Sequence, residues 1–168
     1  GFREMVLGDQ YHKQAVGVFT GNFTEDIGEY VIYPSGTHRM ENGQLTYVLP
    51  SSYTYESIED DANSFNPPMF GRITGTSGTL RHLASFFKIT VSNIPAGGSD
   101  MKLVFTTDKR ITGEFTADPL AETPVIVTDN LEGNTVTINF SNTVSGNTGT
   151  FYIPAPLGTY ALITAEIL

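Results

Sequence analysis

Apolar and polar residues alternate along most of this chain. Phe87, Ile89 and Val91 fall on one face and Lys88, Thr90 and Ser92 on the other, the two-residue period of a strand with one wet side. After the turn residues Pro95-Ala96-Gly97-Gly98 the pattern resumes, with Met101, Leu103 and Phe105 set against Lys102, Val104 and Thr106. Thr107-Asp108-Lys109-Arg110 then reads as a turn into Ile111–Phe115, which predicts a hairpin. Val125–Val127 is a short apolar run, and the reversal Asp129–Asn134 leads to Val136, Ile138 and Phe140 alternating with Thr135, Thr137 and Asn139, a second expected hairpin. A polar loop from Ser141 to Gly149 precedes Phe151–Ile153. Pro154-Ala155-Pro156 then interrupts before a last strand, Thr159 to Ile167.

The first third is less regular. Ala15–Phe19, Tyr30–Tyr33 and Leu45–Leu49 read as short strands between Gly, Asn and Pro punctuation. Ser51 to Pro68 has no clear period and reads as a long surface loop, and Leu80–Leu83 fits either a helical turn or a strand. About eight short strands at intervals of about ten residues predict two antiparallel sheets packed face to face, with minimal helix. No repeat of fixed period and no linker divides the chain, so residues 1–168 read as a single β-sandwich domain. A domain of this size buries roughly 70% of the surface its unfolded chain exposes.

Composition agrees: Thr, Tyr, Phe, Val, Ile and Gly dominate, as suits pleated sheets and their turns. There is no cysteine, so stability has to come from burial and backbone pairing. The net charge of −9 is dispersed and the few Lys and Arg are scattered, which excludes the basic stripe that a nucleic-acid partner needs. No apolar run approaches the ~20 residues of a membrane-spanning helix, and GFREMVLG is not a signal peptide.

Candidate chemistry is sparse. His12, His38 and His82 are far apart, with no metal-ligand spacing, and read as ordinary surface or edge residues. Glu56, Glu59, Asp60 and Asp61 could offer carboxylate oxygens to calcium, but lack the order of an EF-hand loop, so a solvated loop is favoured. Gly75-Thr76-Ser77-Gly78 matches neither a nucleophile elbow nor a phosphate loop and reads as flexible. Tyr47, Tyr53 and Tyr55 could form an aromatic platform for a sugar, although tyrosine is also an ordinary strand residue. Lys109-Arg110 could be cut by a trypsin-like protease at an exposed hairpin tip, or be a plain solvated turn. No catalytic, cofactor-binding or metal-ligating residue is assigned, no cofactor is expected, and the chain is not expected to be an enzyme.

Five stretches in order carry a resemblance: YVIYPSG (30–36), NGQLTYVLPSS (42–52), LRHLASFFKITVSNIPAG (80–97), KLVFTTDKRITGEFTAD (102–118) and GTFYIPAPLGTYALITAEI (149–167). Together they resemble the N-terminal domain of the fimbrillin-like proteins of Bacteroidales, over most of the chain beyond about residue 15. The resemblance implies a transthyretin-like antiparallel β-sandwich with Greek-key connections. It also implies that the chain is an isolated N-terminal domain or a short member of a family that usually carries a second sandwich. The parent would be exported as a lipoprotein to the cell surface and outer membrane and would serve in a pilus as structural subunit or tip adhesin. The implied partners are other pilin subunits, joined by strand addition after an arginine-directed protease removes an N-terminal strand, and a host or bacterial surface receptor. Neither Arg3 nor Arg39 is assigned as the cleaved bond. The alternative is a surface module that binds carbohydrate or protein, displays loops such as Ser51–Pro68, and does not polymerise.

Overall fold

A computed structural model describes residues 6–7, 19–20, 29–33, 38–55, 68–74, 77–121 and 132–168. These form β1 (Val6–Leu7), β2 (Phe19–Thr20), β3 (Tyr30–Tyr33), β4 (Arg39–Glu41), β5 (Gln44–Leu49), β6 (Ser52–Tyr55) and β7 (Met69–Thr74). The second half adds β8 (Ser77–His82), β9 (Ser85–Ile94), β10 (Gly98–Thr107), β11 (Gly113–Ala117), β12 (Thr135–Asn142), β13 (Asn147–Ala155) and β14 (Ile163–Ile167). The protein is all-β, with no helix among the described residues. His12, Arg3, the Glu56–Asp61 cluster, the Val125–Val127 run and most of the expected strand Ala15–Phe19 lie outside the described residues.

Among the described residues, two apolar clusters lie between sheets. The larger joins the four-stranded sheet β14-β10-β12-β6 to the β13-β9 pair, through Met101, Leu103 and Phe105 of β10, Val136, Ile138 and Phe140 of β12, and Phe151 and Ile153 of β13. The smaller joins β11-β5-β4 to β3-β7-β8, through Leu45, Tyr47 and Leu49 of β5, Phe70 of β7, and Phe115 and Ala117 of β11. Alternation puts these side chains inside. On β12 the burial runs half-buried, buried, four times over, and its three buried apolar residues face buried residues of β10 in the pairs Met101↔Phe140, Leu103↔Ile138 and Phe105↔Val136.

The faces expected for β9, β10 and β12 hold. β9 keeps Phe87, Ile89 and Val91 toward the core. A register shift between Val91 and Ile94, with Asn93 at φ 59°, then moves the phase by one residue, so that Ile94 rather than Asn93 is buried. The β4–β5 hairpin closes on Asn42-Gly43, both with positive φ, the pair that a two-residue turn matched to strand twist requires.

Three expectations are corrected. First, β10 and β11 make no hairpin: β10 pairs with β12 and β14, and β11 pairs with β5 in another sheet. The intervening backbone is taken by a different partner, since Ile111 N and Thr112 N both donate to Gly133 O, at 2.9 and 2.8 Å, and Thr107 N donates to Asn134 O. Gly133 has φ +78°, and a Cβ there would lie 2.7 Å from Thr112 O, so this approach needs glycine. Second, Ser52–Tyr55 is a strand rather than loop, and it runs parallel to β12, a departure from the all-antiparallel expectation. Tyr53 and Tyr55 sit opposite Ile138 and Phe140 on the core side, with Ser52 and Thr54 exposed. Third, Pro154 and Ala155 continue β13, opposite Phe86 and Ser85, and the last strand begins at Ile163 rather than Thr159. Leu80–His82 belongs to strand β8, and Leu83 beyond it is buried.

Asn142 fixes the end of the larger sandwich. The chain crosses between sheets twice there, from β9 to β10 and from β12 to β13. The Asn142 Nδ2 donates to Pro95 O at 2.8 Å, its backbone O accepts from Gly97 N at 3.0 Å, and its Oδ1 accepts from Asn147 Nδ2 at 3.1 Å. A buried amide that satisfies the carbonyl of one crossing and the side chain of the other holds both turns in one place.

Leu103 is fully buried while its neighbour Lys102 is exposed. Leu103→Asp is expected to abolish the cooperative thermal transition followed by circular dichroism. An unpaired buried charge costs several kcal/mol against a total stability of about 5–15 kcal/mol. Lys102→Asp is expected to melt within a few degrees of the parent, and Ile89→Asp, at a half-buried position, between the two.

Candidate interaction edge

Strand edges that water reaches carry unpaired backbone groups, and they are where a β protein can meet a partner strand. At one edge, β4 is only three residues long and places the charged Arg39 and Glu41 outward. Arg39 is held across the sheet by Glu114 at 3.0 Å. Short length and charge both protect an edge.

The opposite case is β14. It pairs antiparallel with β10 from Leu103↔Ile167 to Thr107↔Ile163, and Lys102 and Leu168 extend the ladder with reciprocal backbone bonds of 3.0 and 2.9 Å. In an antiparallel pair, residues directly opposite share a face, so Ile163, Ala165 and Ile167 lie on the core side with Thr107, Phe105 and Leu103. Phe105 and Thr107 are buried, yet Ile163 is 45% exposed, Ala165 is exposed and only Ile167 is half-buried. The core side of β14 is therefore left largely uncovered. Four of the seven large apolar side chains exposed among the described residues, Leu157, Leu162, Ile163 and Leu168, belong to this last segment, so the exposure is concentrated there.

What holds the segment is mostly backbone. Asp108 N donates to Leu162 O at 3.1 Å, and both carboxylate oxygens of Asp108 accept from Ala161 N at 3.1 and 3.0 Å. Desolvation raises the Asp108 carboxyl pKa, but the N–H groups of Ala161, Leu162 and Asp108 itself, with the Lys109 charge, together outweigh it and hold the group below its ordinary value. A folded pKa below the unfolded one means that this clasp contributes above the ordinary carboxylate range and is lost as pH falls through the lower folded value. Tyr160 packs edge-on against Phe87 at 5.1 Å and donates to Pro156 O at 2.7 Å. Burial and then the Asp108 charge raise its phenol to about 12, so at neutral pH it stays a donor.

The residues singled out in the sequence scatter. Tyr47 is fully buried in the smaller cluster and Tyr55 is buried in the larger, so the three tyrosines form no exposed platform. Tyr53 is half-buried against the larger cluster. His38 is buried, and His82 sits on β8 against the Phe86 ring at 4.9 Å, its pKa lowered by burial. Among the described residues no three His, Asp or Glu side chains come together as a metal site. Ser77 and Gly78 open β8, with Ser77 opposite Thr74 of β7. Arg110 is no exposed tip: it lies 4.8 Å from the Phe115 ring, with Nε donating to Thr112 O and a guanidinium N–H to Glu114 O. It borders a shallow depression of about 610 Å³ with Val48, Pro50, Gly113 and Glu132, and two of its donors already have these partners.

Sequence reasoning missed the Asp108 clasp. Its two halves are 53 residues apart and neither carries a local signal. The light burial of β14 was legible in part, since a strand whose inward row is Ile163, Ala165 and Ile167 has one small residue at its centre.

The hydroxyls of Tyr47 and Tyr53 are buried without a hydrogen-bond partner, and burial holds both phenols above the usual range. The Tyr55 hydroxyl accepts from Tyr152 N at 3.2 Å. Removing an unsatisfied buried group relieves its desolvation cost, whereas removing a satisfied one orphans a partner. Tyr53→Phe and Tyr47→Phe are therefore expected to leave the urea midpoint unchanged or raise it. Tyr55→Phe is expected to lower stability by about 1 kcal/mol.

Compared with known protein families, curated proteins and solved structures, the chain finds no match.

Proposed function

We propose that this chain is a structural subunit or tip adhesin of a bacterial cell-surface pilus, joined to its neighbours by strand addition. The observation that carries the reading is the edge of β10, which lies beside the fully buried Leu103 and Phe105 and, among the described residues, is covered by a strand whose side chains are mostly exposed. An edge of that kind accepts a strand through backbone pairing, while pockets beside the core set its register. The layered all-β frame supports the same reading, because a building block needs a durable sandwich and a place for its neighbour. The resemblance to fimbrillin-like N-terminal domains supplies the biology: export, a pilus, adhesion, and the transthyretin-like form of the sandwich. No helix of the described residues is long and apolar enough to cross a membrane.

Immunogold electron microscopy of the native organism, with antibodies raised against this domain, tests the proposal. Label repeated along filaments is expected for a shaft subunit, and label at filament ends for a tip adhesin. Label spread over the envelope without filaments would overturn assembly and favour the non-polymerising binding module.

A further inference from the structure

The depression beside Arg110, about 610 Å³ in volume, lies where three connections meet: Pro50-Ser51 between β5 and β6, the crossing from β10 to β11 that carries Arg110 and Thr112, and Glu132-Gly133 ahead of β12. Clefts of this size hold small ligands, and they favour the seams between packed units. This seam is the place where the chain passes from the larger apolar cluster, which holds Phe105 and Ile111, to the smaller, which holds Phe115.

Arg110 is held rigidly there. Its guanidinium carbon lies 4.8 Å from the centre of the Phe115 ring, Nε donates to Thr112 O at 3.0 Å, and Nη2 donates to Glu114 O at 2.8 Å. Gly113 makes the approach possible, since its φ is +95° and a Cβ there would fall 2.7 Å from Nη2. These bonds occupy the side edge of the guanidinium, formed by Nε and Nη2. The end edge, Nη1 and the second N–H of Nη2, has no partner among the described residues. A clamp that only joined Thr112 to Glu114 would use the first edge alone. The second edge is a planar fork of the shape that a carboxylate fits, and the rotamer freedom that an arginine loses on binding is already lost in the fold.

The rest of the lining narrows the ligand. Val48 and Pro50 are exposed and apolar. Ser52 Oγ accepts from Asn139 Nδ2 at 3.2 Å, which leaves its own O–H to donate, and Ser51 is exposed beside it. Glu132 brings a carboxylate into the same lining. One arginine beside one glutamate suits a single negative charge rather than the two of a phosphate monoester, and carboxylate oxygens accept readily from hydroxyls.

We propose that this depression binds a hexuronate residue of an acidic glycan, with the sugar carboxylate on the Arg110 fork, its hydroxyls on Ser51, Ser52 and Glu132, and its C–H face on Val48 and Pro50. A hexuronate carries all three kinds of group on one ring: one carboxylate, several hydroxyls and an apolar face. The inference stands apart from assembly and requires neither a pilus nor strand addition.

The test is an NMR titration of the isotope-labelled chain with a galacturonate trimer, with the methyl ester of that trimer, and with an acetylated trialanine that ends in a free carboxylate. The trimer is expected to shift the amides of Ser51, Ser52, Gly113 and Gly133 saturably. The ester keeps the sugar hydroxyls and loses the charge, and it is expected to bind about tenfold more weakly. Arg110→Lys keeps the positive charge and loses the fork, and it is expected to weaken the trimer about tenfold. Glu132→Gln, at an exposed position, removes the neighbouring like charge and is expected to tighten the trimer about threefold, which keeps the proposal testable if Arg110→Lys fails to fold. No shift around the depression, equal binding of trimer and ester, undiminished binding by a folded Arg110→Lys, or weaker binding by Glu132→Gln would each overturn the proposal. Saturable shifts with the peptide and none with the trimer would assign the fork to a protein carboxylate and overturn the glycan.

Discussion

The pairing of β10 with β12 is the constraint on which the rest of this fold depends. Leu103 opposite Ile138 and Phe105 opposite Val136 give a continuous apolar surface in which these four side chains are fully buried. A slip of one residue would turn the whole row toward water and bring Lys102, Val104 and Thr106 inward. Everything that packs on this surface, including Phe151 and Ile153 from the opposite sheet and Tyr55 from the parallel strand, depends on that register.

The two crossings near Asn142 follow from the same constraint. Once β10 and β12 lie side by side and β9 and β13 pair in the opposite sheet, the chain has to pass between layers at Pro95–Gly97 and at Thr143–Gly146. Backbone groups in such passages lose their ladder partners, and Asn142 supplies replacements from a buried position. At the other end, Gly133 accepts from Ile111 and Thr112 and directs the chain out of the larger sandwich into β11, which belongs to the smaller. The described residues thus hold two apolar clusters joined by short connections, of which Leu83-Ala84, between β8 and β9, is one.

The strands were legible where apolar side chains alternate in plain form. Phe87-Ile89-Val91, Met101-Leu103-Phe105 and Val136-Ile138-Phe140 face the core as their period requires. Ser52-Tyr53-Thr54-Tyr55 alternates just as strictly, but each of its residues has a polar atom, so the period is hidden in a polarity pattern and only packing reveals it. The partnership of strands was less legible. Thr107–Arg110 has the composition of a hairpin turn, and only the remote carbonyl of Gly133 diverts it. The candidate edge was the least legible feature, because Asp108 and Ala161 meet through a backbone bond that needs no particular side chain at position 161.

Local stability differs within one sheet, where a buried β10–β12 frame carries β14 as a lightly held strand. Strands with few buried contacts open at lower free energy than the core. Native-state amide hydrogen exchange measures this directly. The N–H groups that Thr164, Glu166 and Leu168 donate to β10 are expected to exchange through an opening well below the global unfolding free energy, while those shared by β10 and β12 exchange only with global unfolding. Equal protection of β14 and β12 would contradict it.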